Sequence, residues 1–118
     1  MTRVISRLLL AACGVGFIAC ASTEVPAKAL AESEASARAA ETANAQNVPQ
    51  AALHLQLAHE HLAKAQVYMK EKENDLAARS LRRAKADADL SLALAESDRA
   101  TRDADEAQKK VQALKSMN

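Results

Sequence analysis

The chain predicts an all-α protein: an antiparallel, alanine-rich helical hairpin with a long third helix and a further helix preceding it, coiled-coil-like in its packing. Three observations lead there. Glycine occurs only at Gly14 and Gly16 and proline only at Pro26 and Pro49, so the turn chemistry that a many-stranded sheet needs is missing. Apolar residues reach 49%, but alanine supplies much of that and Phe17 and Tyr68 are the only aromatics; alanine has the highest intrinsic helix propensity. Acid stands four residues before base at Glu24–Lys28, Glu34–Arg38, Glu60–Lys64, Asp75–Arg79, Asp98–Arg102, Asp105–Lys109 and Glu106–Lys110, the more stabilising order for pairs on a helix surface. A long two-helix hairpin kinked at Pro49 is the alternative arrangement.

The N-terminus reads as an export signal rather than as part of the fold. Arg3 and Arg7 form a positive region, residues 8–19 are apolar or small, and Ala19 precedes Cys20. Twelve residues at about 1.5 Å each fall well short of a ~30 Å hydrocarbon core, which argues against a membrane span. Residues 1–19 are therefore expected to be a lipoprotein signal peptide, Cys20 the lipidation site, and 20–25 a lipidated tether. Cys13, after Leu10-Ala11-Ala12, has the better local spelling for a lipobox, but choosing it shortens the apolar region to residues 8–12. Cys20 sits at the correct distance from Arg7 and marks the change to polar Ser22-Thr23-Glu24. With Cys13 removed and Cys20 acylated, no thiol is left to form a disulfide in an oxidising envelope.

Beyond the tether, residues 26–118 read as one helical domain with helices at about 26–46, 49–70 and 75–115. The first break is Asn47-Val48-Pro49, because proline biases its predecessor away from helix and itself opens the next one. The second is 71–75, where Asn74 or Asp75 is a cap and Asn74 tolerates a left-handed turn. Helix one carries Ala27, Ala31, Ala35, Ala39 and Ala43 at four-residue steps, with Leu30 its one large anchor. Helix two carries Ala51, Leu55, Ala58, Leu62, Ala65 and Met69; helix three answers with Ala77, Leu81, Ala84, Ala88, Ser91 and Ala95. Folding the second line onto the first pairs large residues mostly with small ones in a single register, which lets the layers interdigitate. Helix one is expected either to cover a second strip, Leu53, Leu57, Leu90 and Leu94, or to remain a loosely held tether.

Helix three is about twice as long as helix two. Its outer half keeps a weak apolar stripe, Ala93, Ala100, Ala104, Ala107, Val111 and Leu114, with Ser97 among them. That stripe is the candidate interaction surface, taking either a straightened helix one or another protein chain; the alternative is a stripe of small residues left facing solvent.

Little else in the chain carries chemistry. Lys and Arg number 16 against 15 Asp and Glu, and loss of Arg3 and Arg7 leaves the mature chain nearly neutral. No basic face suits nucleic acid and no polybasic run suits anionic lipid. Among His54, His59 and His61 no two are three or four residues apart, and His59 and His61 point about 200° apart, so no metal site is expected. Beyond the expected signal peptide no glycine is available for a nucleophile elbow or a phosphate-binding loop. The carboxylates mostly have basic partners one turn away. Catalytic residues, cofactors and a small-molecule substrate are not expected.

Residues 49–107 resemble a family of bacterial lipoproteins that carry an alanine-rich helical domain of unknown function. The likeness rests on Pro49 opening helix two, the run Leu57-Ala58-His59-Glu60-His61-Leu62-Ala63-Lys64-Ala65, a short turn, Leu76-Ala77-Ala78-Arg79, and Ala84-x-Ala86-Asp87-Ala88-x-Leu90. Some members look fused to an OmpA-like peptidoglycan-binding domain, which this sequence does not contain. Similarity to Gram-negative lipoproteins, in which aspartate after the lipidated cysteine retains the protein at the inner membrane, implies an outer-membrane location facing the periplasm, because Ala21 and Ser22 follow Cys20. A looser similarity is to small murein lipoproteins, some of which attach covalently to peptidoglycan through a C-terminal lysine. The ending Lys115-Ser116-Met117-Asn118 does not match that pattern. These likenesses imply a membrane-anchored envelope protein that acts through self-association or contact with another envelope protein.

Overall fold

The computed structural model describes residues 26–117, and every element among them is helical. Helix α1 covers Ala27–Thr42, a 3-10 turn covers Ala45–Asn47, α2 covers Pro49–Lys70 and α3 covers Asn74–Ser116. No helix among the described residues is long and apolar enough to cross a membrane. Cys13, Cys20, the signal segment and the tether lie outside the described residues.

The hairpin of α2 and α3 forms as the alternating large and small residues predict. Ala51, Leu55, Ala58, Leu62 and Ala65 of α2 are buried, as are all six predicted α3 residues from Ala77 to Ala95; Met69 is half-buried at the turn. Close packing on alanine leaves room for serine hydroxyls to reach a neighbouring backbone. Ser91 Oγ donates to the Ala51 carbonyl oxygen at 2.7 Å, and both residues are fully buried. The acceptor lies inside a helix and uses its second lone pair.

The turn between α2 and α3 is built by the backbone rather than by Asn74. Lys72 holds the left-handed conformation, with φ at 63°. The Glu73 N–H donates to the Tyr68 oxygen at 2.8 Å and the Lys72 N–H to the Met69 oxygen at 3.2 Å, the paired bonds of a Schellman motif. Glu73 then occupies the cap position of α3 without a side-chain cap, so neither Asn74 nor Asp75 does the capping expected of them.

Helix α1 is packed on the hairpin and is no loose tether. It ends at Thr42, four residues earlier than predicted, because Asn44 takes a left-handed conformation with φ 60° and the 3-10 turn follows. Val48 is extended, as a residue before proline should be. The chain reverses here, so the two-helix rod kinked at Pro49 does not form. Ser33 Oγ lies 2.7 Å from the Ala29 carbonyl of its own helix and 3.0 Å from the Leu81 carbonyl of α3, its single proton shared between the two acceptors, and Lys85 Nζ donates to Ser36 Oγ at 3.4 Å. The paired residues rise together, so α1 runs parallel to α3 and antiparallel to α2. Glu41 meets His59 of α2 at 3.0 Å.

The face that α1 buries differs from the predicted one. Ala27, Ala31, Ala35 and Ala39 are exposed, and the buried line is Ser33, Ala37 and Ala40, with Leu30 against the core. Four-residue steps advance 400° on a helix of about 100° per residue, so that alanine line winds around the cylinder. Nor does α1 cover the predicted leucine strip. It lies on the opposite side of the hairpin, leaving Leu53 and Leu90 exposed and Leu57 and Leu94 half-buried.

Candidate interaction surface

Helix α3 outlasts its partners. It is 43 residues long against 22 for α2, or about 65 Å at 1.5 Å per residue. The corner that ends α1 lies beside Ala95 and Glu96, and from Arg99 to Met117 every residue is exposed. No glycine or proline interrupts this arm. Ion pairs one turn apart support it, with Asp98–Arg102 and Glu106–Lys110 at 2.7 Å and Arg99–Asp103 at 3.8 Å. Pairs this exposed contribute only a few tenths of a kcal/mol each, so the arm is a helix held by local interactions.

The reason that the hairpin seam stops at Ala95 is written in the next turns. The line Ala84, Ala88, Ser91, Ala95 continues through Arg99, Arg102 and Glu106, and charges there leave nothing apolar for α2 or α1 to bury.

The structure brings Ala93, Ala100, Ala104, Ala107, Val111 and Leu114 onto one face, all exposed. That face is not the hairpin seam left over, as the sequence alone implied. At about 100° per residue it lies about 150° around α3 from the buried line. Ala93 is accordingly exposed while its neighbours Ser91 and Ala95 are buried. A straightened α1 cannot serve as its partner either, because α1 is already packed elsewhere. Val111 and Leu114 are the stripe's large members, at 50% and 61% exposure.

A second feature escaped the sequence. His54 and His61 both reach Asp87 of α3: His54 Nδ1 is 3.0 Å from Oδ1, and His61 Nε2 is 3.8 Å from Oδ2. The three side chains are half-buried across the α2–α3 seam. The signal was a spacing of seven residues, two helical turns, which returns both rings to one face. Among the described residues no group of three histidine, cysteine or acidic side chains could hold a metal ion, so the cluster reads as a polar clasp between the helices.

The acidity of Asp89 departs from the ordinary carboxylate value. Burial pushes its carboxyl up, but hydrogen bonds from Lys85 and Ser36 and the Lys85 charge outweigh this and hold it lower than usual. The Lys85 Nζ to Asp89 Oδ2 distance is 2.7 Å.

Compared with known proteins, the chain matches no family model, no curated protein and no solved structure.

Proposed function

We propose that this protein is an outer-membrane lipoprotein, anchored through Cys20 and facing the periplasm, with a non-enzymatic structural role exerted through helix–helix contacts. The observation that carries the contact role is the fully exposed arm of α3 with Val111 and Leu114 on its apolar face. The anchor is supported by Arg3 and Arg7, the apolar run over residues 8–19 and Cys20 at its end. Several acyl chains on one cysteine hold a protein to a bilayer stably, where a single chain does so only marginally. The likeness of residues 49–107 to alanine-rich envelope lipoproteins agrees with this reading and supplies no catalytic residue.

Two experiments test it. Radiolabelled palmitate should mark the wild type and not Cys20→Ser; labelling that survives in Cys20→Ser and disappears in Cys13→Ser would move the anchor. Photoreactive residues at Ala100, Ala107 and Leu114 in living cells should give protein crosslinks. Bands at multiples of the protein's own mass support a scaffold that self-associates. A single heterologous band would instead make it an accessory subunit of a larger envelope complex. Absence of any band would remove the contact role.

A further inference from the structure

The outer face of α3 carries a longer pattern than the stripe on the arm. From Ala86 through Leu90, Ala93 and Ser97 to Val111 and Leu114, small and apolar residues recur at alternating steps of four and three, and all are exposed. Such a repeat drifts about 20° per seven residues on a straight helix, and two helices follow it by coiling left-handed around one another. The pattern starts beside the bundle and continues unbroken onto the arm.

The flanking charges say which partner fits. On one flank stand Asp89, Glu96, Asp103 and then Lys110; on the other Lys115 closes the series. The edge is thus acidic where it borders the bundle and basic towards the C-terminus. A parallel pair of identical helices sets Lys110 beside Lys115 of the second copy and leaves the acidic residues without basic partners. An antiparallel pair sets Glu96 of each copy against Lys110 of the other.

We propose that α3 pairs antiparallel with α3 of a second copy, about a two-fold axis near Arg102. This rests on the reading of the protein as one that works through helix contacts, and adds to it the partner, the orientation and the register. Leu90 meets Leu114 of the second copy, Ala93 meets Val111, and Ala100 meets Ala104, each contact occurring twice. Glu96 faces Lys110 of the second copy, also twice; among the described residues Glu96 has no ion pair in its own chain, while Lys110 pairs with Glu106 at 2.7 Å and would be shared between the two carboxylates. Asp103 approaches its own counterpart, and Arg99 pairs with each at 3.8 Å. Each arm lies along the free side of the other bundle, away from α2, and covers Leu90, which is 44% exposed. The two N-terminal ends then sit about 80 Å apart, from 28 residues at 1.5 Å on either side of the axis. Two anchors so placed lay the rod along a membrane surface.

The test uses the full-length protein in cells, with a photoreactive residue replacing Ala93 and mass spectrometry of the crosslinked peptides. The expected result is a band at twice the monomer mass in which position 93 joins a peptide containing Val111. Glu96→Lys and Lys110→Glu, both on the surface, should each weaken the dimer about ten-fold by turning two attractive contacts into repulsive ones, and the double variant should restore it. Crosslinking of position 93 to its own counterpart would mean a parallel pair and would overturn the proposal while leaving self-association standing. A heterologous band would overturn the second copy as partner but keep the contact role. No band would overturn both. Single charge reversals that leave the dimer unweakened would overturn the register.

Discussion

Leu81→Ala is the substitution that most directly tests how this body is held together. Leu81 is fully buried and is the largest side chain so enclosed. Its carbonyl receives Ser33 of α1 while its side chain sits in the seam with α2, so it stands where all three helices meet. Removing a buried leucine side chain costs about 2.7–5.0 kcal/mol, more when the site cannot collapse. The neighbours here are largely alanines, whose methyl groups are too short to fill the void, so the upper part of that range, about 3–5 kcal/mol, is expected. A domain of this size has roughly 5–14 kcal/mol of stability in total. The melting temperature should fall by at least about 12 °C, at about 4–8 °C per kcal/mol. Urea titration followed by far-ultraviolet circular dichroism measures the loss, provided the denaturant slope is unchanged. Leu53→Ala is the control: Leu53 is 56% exposed and its removal should stay within about 0.5 kcal/mol. A Leu81→Ala cost under about 1 kcal/mol, or equal costs for the two variants, would refute the packing described above.

Four further outcomes are expected. Ser91→Ala should cost about 0.5–1.5 kcal/mol, the net value of its hydrogen bond to Ala51, since the acceptor keeps its helical partner; an unchanged urea midpoint would mean that the bond contributes nothing. Lys72→Gly should stabilise by up to about 1 kcal/mol, because relief of the left-handed penalty exceeds the added freedom of the unfolded chain, whereas a lower midpoint would count against that turn geometry. Asp89→Asn should lose at most about 1 kcal/mol at neutral pH. The Asp89 carboxyl titrates lower in the folded chain than in the unfolded one, so its contribution is complete above the ordinary carboxylate range and is lost as pH falls through the folded value; wild type and variant should converge in acid, and a gap that widens there would contradict it. In the soluble body diluted to the monomer, ending the chain after Arg99 should leave the urea midpoint unchanged and lower only the helical signal, since residues 100–117 are all exposed in the single chain; a large loss of stability there would show that the arm is packed within its own chain.

The hairpin was legible in the sequence because its two seams alternate three- and four-residue steps, and that spacing stays on one side of a helix. The alanines of α1 misled for the same geometric reason: a strict four-residue step does not stay on one side, and the buried line runs instead through Ser33, Ala37 and Ala40 at steps of four and three. Residue identity also gave no hint of Lys72 as the left-handed residue; the paired backbone bonds from Lys72 and Glu73 impose that conformation, and Asn74 is already inside α3. On the candidate surface, the apolar stripe was readable but its direction was not, since the position of α2 and α1 around α3 follows from tertiary packing. The meeting of His54 and His61 on Asp87 needed the hairpin register before a spacing of seven residues acquired meaning.

The parallel course of α1 and α3 has a mechanical consequence. The chain enters the body at the end where Leu30 lies beside Met69 and Lys70, and the arm leaves at the opposite end. Tension between an N-terminal anchor and anything grasping the arm therefore draws α1 and α3 past each other along their shared axis. Every lateral contact between them, Ser33 with Leu81 and Ser36 with Lys85 included, bears load at once instead of parting one after another. Lifetime under load follows the unfolding rate rather than the equilibrium stability. With the proposed anchor at one end and the proposed contact at the other, loading in shear would suit such a body to act as a tie.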